Sequence, residues 1–282
     1  MLRRLIAFLL CFLVGSPFAF ACPCGCGSSD FLYLEAEETF KYRILYSHEL
    51  APLYYDRAGK SYSLDGETKE IETVGLTSVF SVGKKFSLGL QLDFKKNIGK
   101  QNVRYGVGDP SLHFLASVFE KDLFDTFHLS LKSGFSVKFP FPSSASDSDQ
   151  LLVFSSGHWD VSPNFSASLQ YAHWTLLVKE IMTLRMHKSG IVSPDFVNRL
   201  SLGLSYTFFG LGQLGVSLDE ELRWQEFSSG RGLTRYTHKL NWNLTARVGD
   251  RKSLGLNFAH PVLVQKNAPI YKEVGISFSH AL

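Results

Sequence analysis

The sequence predicts an all-β chain: an antiparallel transmembrane β-barrel of about twelve strands, preceded by a cleaved signal peptide. Three observations predict it. Apolar residues keep to one parity of position in segment after segment. The links between those segments alternate between short and long. A secretory leader opens the chain.

The leader comes first. Arg3 and Arg4 form a basic start, and residues 5–14 form an apolar core too short to cross a bilayer as a helix. Ala19-Phe20-Ala21 is an A-x-A cleavage site. A short membrane anchor is the competing reading, but no long helical apolar stretch exists elsewhere in the chain. Cleavage after Ala21 leaves about 260 residues, enough for one sizeable domain. The expected organisation is a signal peptide at 1–21, a Cys-rich periplasmic segment at 22–36 and an outer-membrane barrel at 37–282.

Strands are expected at 37–47, 67–80, 85–96, 110–119, 125–138, 157–169, 172–185, 197–208, 212–225, 236–248, 252–260 and 270–282. Side chains of a strand alternate between two faces. In the third segment Phe86, Leu88, Leu90, Leu92 and Phe94 oppose Ser87, Gly89, Gln91 and Asp93. The sixth is the weakest, because Pro163 interrupts it. In the eighth, Leu200, Leu202, Leu204, Tyr206 and Phe208 oppose Arg199, Ser201, Gly203, Ser205 and Thr207. The ninth is interrupted by Glu220 among Leu214, Val216, Leu218, Leu222 and Trp224. The tenth is the cleanest: Leu240, Trp242, Leu244, Ala246 and Val248 against Lys239, Asn241, Asn243, Thr245 and Arg247. The last puts Val274, Ile276, Phe278, His280 and Leu282 on one face, although outer-membrane proteins usually end in an aromatic residue.

Short links are expected near 82–84, 120–124, 170–171, 209–211 and 249–251, and long ones at 48–68, 96–107, 139–156, 186–196, 227–235 and 261–268. Short periplasmic turns and long outer loops give this rhythm, and an even strand number returns both termini to the periplasmic side. A soluble β-sandwich also alternates, but it needs no such rhythm and should not turn Trp and Leu outward on strand after strand. A formal charge of +3 and a mean hydropathy near zero argue against a helical membrane protein and against nucleic acid as a partner. Aromatic residues make up 14% of the chain, which suits interfacial girdles.

One stretch is more specific than periodicity. Gly106-Val-Gly-Asp-Pro-Ser-Leu112 opens a strand, Leu131-Lys-Ser-Gly-Phe-Ser-Val-Lys-Phe-Pro ends one, and Phe154-Ser-Ser-Gly-His-Trp-Asp160 follows a Ser/Asp-rich loop. This order resembles the outer-membrane barrels grouped as the "MetA-pathway of phenol degradation" type. The motif likeness covers about a third of the chain. The resemblance implies a transporter-like barrel passing small, often apolar molecules. Read from the residues alone, the role is structural: Gly106 and Gly108 would permit tight turns with unusual φ, and Asp109 would bond nearby backbone N–H groups.

Chemistry is sought in four places. The polar face carries Arg43, Lys132, Lys179, Arg199, Arg223, Lys239 and Arg247 against Asp93, Asp160, Asp219 and Glu221. In a narrow barrel these residues either form a salt-bridged plug or a constriction that selects by charge and size. Arg199, Arg223 and Arg247 would line one basic track. Second, Cys22, Cys24 and Cys26 could hold a soft metal ion, become oxidised, or place Cys22 for lipidation. No other cofactor is indicated. Third, His113 and His128 would be neighbours on sequential strands. Fourth, His187-Lys-Ser-Gly190 looks like a fragment of an outer-membrane phospholipase motif without its Asn.

The expected function is a passive channel for a small apolar or anionic solute, not an enzyme. Outer-membrane lipid and the assembly machinery are the expected partners. The alternative is a non-transporting barrel whose Cys-rich N-terminus binds metal or is lipid-anchored, and behind that a lipid hydrolase.

Overall fold

The computed structural model describes residues 38–55, 61–63, 69–83, 85–98, 103–124, 126–140, 159–186, 194–208, 212–225, 233–248, 251–265 and 268–282. The leader, the three clustered cysteines, the His187–Gly190 fragment and the loop before Trp159 lie outside them.

Among these residues there are fourteen strands: β1 (Phe40–Tyr55), β2 (Ser61–Ser63), β3 (Lys69–Ser81), β4 (Phe86–Ile98), β5 (Val103–Val107), β6 (Ser111–Leu123), β7 (Phe127–Lys138), β8 (Trp159–Tyr171), β9 (Trp174–Met186), β10 (Pro194–Phe208), β11 (Gly212–Gln225), β12 (Leu233–Arg247), β13 (Lys252–Gln265) and β14 (Ala268–Ala281). Twelve long ones pair antiparallel in chain order, and β14 pairs with β1 to close the barrel. Closure leaves no free sheet edge in the wall. Short β2 extends the far end of β1, and short β5 extends β4.

Each of the twelve expected segments is a barrel strand. Three expectations about their ends are corrected, the first at 48–68, where β1 runs on to Tyr55 and β2 follows at Ser61–Ser63. The link expected at 261–268 is not long: β13 runs to Gln265 and β14 begins at Ala268. The link expected at 96–107 contains β5, which pairs Phe94 with Val107 while β6 pairs Gln91 with Ser111. One extra residue therefore sits at Gly108-Asp109-Pro110, a bulge in the wall. Pro163 behaves as its missing N–H dictates. It pairs with Phe135 on the β7 side, while toward β9 the pairing stops at Val161 and resumes at Asn164. Ser162 Oγ and Thr183 Oγ1, 2.9 Å apart, bridge that gap.

The two faces follow parity. Leu244 is 47% exposed and its neighbour Asn243 only 4%, because one faces out and the other faces the interior. The outer face carries an apolar belt including Ile44, Val74, Leu76, Leu90, Trp242, Leu256 and Ile276. Aromatic rings pack at its edges. At the short-turn end Phe127 stacks on Tyr171 at 4.7 Å, and Trp174 meets Tyr206 edge-on at 4.8 Å. At the long-link end Phe139 meets Trp159 at 4.9 Å. The chain ends join this frame, with Thr39 N donating to Leu282 O at 3.0 Å and Leu282 N donating to Phe40 O at 2.8 Å.

The interior is not wholly polar, as alternation alone suggests. Leu45, Val79, Leu115, Leu177, Ile181 and Val197 face inward and are buried. A barrel this narrow lets side chains from different strands meet, and Leu115 and Ile181 bury one another. The expectation that Gly106 and Gly108 adopt unusual φ is also corrected: of the described glycines only Gly83 has a positive φ, +95°. Gly108 is needed for close approach. Its N–H donates to Asp93 O at 2.7 Å, and a Cβ there would lie 3.2 Å from Asp93 Cβ.

Candidate channel interior

Cross-strand register decides which inward side chains meet. Toward the long-link end it builds acid–base pairs. Asp160 lies opposite Lys138 on one side and Arg185 on the other. Lys138 Nζ stands 2.6 Å from Asp160 Oδ2, while Arg185 donates from Nε to Oδ1 at 2.9 Å and from Nη2 to Oδ2 at 3.1 Å. The bidentate fork fixes the carboxylate as well as neutralising it. Asp109 Oδ2 lies 3.6 Å from Lys138 Nζ, so this residue joins the ionic network through its carboxylate. Farther round the wall Arg199 Nε donates to Glu221 Oε2 at 2.6 Å, and Asn241 Nδ2 donates to Asp219 Oδ2 at 2.8 Å.

A second layer lies deeper. Lys179 pairs in register with Ser166, six positions along β8 from Asp160 toward the short-turn end. Arg43 sits on β1 and His113 on β6. In the closed strand order β1 and β9 are six steps apart in either direction, and β6 lies midway on one side. All three side chains are on the inward face, Arg43 and Lys179 on opposite walls with His113 between them in strand order. All three are buried, at 4%, 6% and 4% exposure for Arg43, His113 and Lys179. Ser111 Oγ lies 3.0 Å from His113 Nε2. Asp93 is the acid beside this group, within reach of Arg43 and Lys95 and bonded by Gln91 Nε2 at 3.3 Å. Apolar contact accompanies the charge: Leu115 of β6 and Ile181 of β9 form one buried cluster.

Each lumen candidate from the sequence can now be placed. Arg43, Asp160 and Lys179 are buried inside, and Asp93, Lys132, Arg199, Asp219, Glu221 and Lys239 are half-buried. Arg247 is exposed near the short-turn end, and the side chain of Arg223 lies outside the described set. Of the expected Arg199–Arg223–Arg247 track, Arg199 is paired with Glu221 and Arg247 is exposed at a strand end. His113 and His128 are not neighbours. His113 lies opposite Ser136, whereas the exposed His128 bonds Asp122 Oδ1 at 2.8 Å near the short turn. Among the described residues no group of three His, Cys, Asp or Glu side chains is placed to hold a metal. Sequence reasoning missed Lys138 and Arg185, although each shares the parity of a residue it did select on the same strand, Lys132 and Lys179.

No protein-family model matches the chain, and no curated protein matches it. Solved structures do. An outer membrane channel from Pseudomonas putida F1 superposes with a TM-score of 0.74 at 13% identity, over 91% of this chain and 99% of that one. The KdgM porin gives 0.46 at 10% identity, over 85% and 99%. The CymD monoaromatic hydrocarbon channel gives 0.47 at 8% identity, over 87% and 89%. At 13% identity the first likeness is one of fold: the twelve-strand closed barrel.

Proposed function

We propose that this chain is an outer-membrane barrel serving as a passive channel for a small solute, with a preference for anions. The observation that carries the reading is the burial of three basic residues inside the barrel wall, Arg43 on β1, His113 on β6 and Lys179 on β9. Nearer the long links, acids and bases are paired, as in Lys138–Asp160–Arg185 and Arg199–Glu221. A narrow passage between low-dielectric walls amplifies the field of its lining charges. The apolar outer belt suits lipid, and the motif likeness around Gly106–Leu112 supports a transporter-like barrel.

Arg43 and Lys179 are both buried inside the barrel. Both heads ride on flexible stems, which can swing aside while keeping contact with a passing anion. Passage is then gated by side chains and needs no movement of the wall.

Planar-bilayer recording tests the proposal. Reversal potentials across a salt gradient should show anion preference. In Arg43→Ala with Lys179→Ala, conductance should rise and the preference should fall. A folded barrel with no conductance and no solute uptake in liposomes would establish the plugged, non-transporting reading instead.

A further inference from the structure

The outer face of β11–β13 carries two titratable residues that a conducting lumen does not use. Glu220 and His260 point out of the barrel, on the parity of exposed Leu214 and exposed Phe258. Both interrupt the apolar belt. Glu220 stands between Leu218 and Leu222 along β11, and His260 between exposed Phe258 and Val262 along β13. Glu220 is 7% exposed, while His260 is exposed and stacks on Phe258 with ring centroids 6.4 Å apart. Among the described residues neither side chain has a hydrogen bond or ion pair. An acid buried at the lipid face without a donor is costly, and ionisable groups at such positions mark a contact.

Register places the two residues symmetrically. Glu220 lies opposite His238 and His260 lies opposite Leu240, both on β12. Glu220 is eight residues from Gly212 at the start of β11, and His260 is eight from Lys252 at the start of β13. Both starts follow short turns, so equal counts along equally tilted strands put acid and imidazole at one height in the membrane. β12 runs midway between them. A twofold axis along the membrane normal, passing β12 between His238 and Leu240, therefore sets Glu220 of one copy against the partner's His260. The contact forms twice, once on each side of the axis, as an isologous interface requires. Walls packed face to face stand about 10 Å apart, a gap that a Glu and a His side chain together span. Leu240 and exposed Trp242 supply apolar surface at the centre.

We infer that the outer face of β11–β13 is the interface of a twofold dimer of this chain, closed by hydrogen bonds from His260 of each copy to the partner's Glu220. The patch is complementary to itself, with one acceptor and one donor at matched height. Lipid tails offer the acid no donor.

Sedimentation equilibrium of the purified barrel in density-matched micelles, over a range of protein-to-detergent ratios, tests this. Wild type should dimerise. Glu220→Leu and His260→Leu should each weaken the dimer by roughly tenfold or more, because each removes both copies of a charge-assisted hydrogen bond. Glu220→His combined with His260→Glu exchanges acceptor and donor across the axis and should restore the dimer. Within one chain β12 separates these two residues, so the rescue reports a contact between copies. Unboiled gel mobility checks that each variant folds, and Glu220→Ala replaces Glu220→Leu if that one does not. A wild type that is monomeric at every ratio overturns the inference. A dimer that survives both single substitutions overturns the placement of the interface. Loss in both that the exchange does not reverse overturns the Glu220–His260 contact. Conductance enters none of these outcomes, so they stand apart from the channel reading.

Discussion

Asn198 Nδ2 donates a hydrogen bond to Glu180 Oε1 at 3.2 Å, and both residues sit on the outer face of the barrel. Glu180 lies opposite Phe165 and Leu200 in the middle of β9, on the parity of exposed Met182 and Leu184. Glu220, the residue that breaks the alternation of β11, shares that face next to His238 and is 7% exposed. An acid in the belt that meets lipid carries a desolvation cost, which one amide hydrogen bond offsets only in part.

Replacing Glu180 and Asn198 together by Leu should therefore stabilise the barrel by about 1–3 kcal/mol. Asn198→Leu alone should destabilise it, because the acid then loses its donor. The temperature at which gel mobility shifts from folded to unfolded reports both. Equal loss in the single and double variants would show that the pair is needed on this face.

Leu244 and Asn243 are adjacent, and one faces out while the other faces in. Leu244→Arg places a cation in the apolar belt and should cost roughly 2–4 kcal/mol. Asn243→Ser keeps a small polar group in the lumen and should cost far less. Membrane-inserted yield separates the two, and equal yields would reverse the face assignment.

These two sites mark what the sequence makes legible. Strand number, strand position and outward parity follow from local alternation, which the pleat enforces residue by residue. The Gly108–Pro110 bulge was not legible, because it depends on how β4 divides its pairing between β5 and β6. The lumen pairs were not legible either. Arg199 meets Glu221, and Lys138 meets Asp160, only once register is set between strands joined by turns and loops of differing length. The placement of Arg43 and Lys179 on opposite walls depends on closure, which sets β1 across from β9; no local pattern encodes it.

Asp160 holds two cations, so Asp160→Asn should remove the carboxylate that Lys138 and Arg185 share and leave Lys138 with Asp109 at 3.6 Å. Stability should fall by about 1.5–3 kcal/mol, the range for hydrogen bonds to charged groups. If the solute path runs past this network, anion preference should rise at the same time. Thermal gel shift reads the first effect and reversal potential the second.

Cys22, Cys24 and Cys26 precede β1, and the barrel strands contain no cysteine. Changing all three to Ser should leave the yield of heat-modifiable, membrane-inserted barrel unchanged. A collapse in yield would make the segment an anchor or staple and favour lipidation of Cys22.

The two basic groupings of the lumen make opposite predictions for selectivity. Arg199 is matched by Glu221 at 2.6 Å, so removing both, as Arg199→Ala with Glu221→Ala, takes away one charge of each sign. Reversal potential should barely move, because a neutral pair contributes little net field along the axis. Arg43 and Lys179 are buried inside the barrel, so removing those two cations takes away two positive charges from its interior. Anion preference should drop markedly in that variant. A large change in the Arg199–Glu221 variant and none in the Arg43–Lys179 variant would place the selective point at the upper ion pairs and overturn the assignment to the deeper layer.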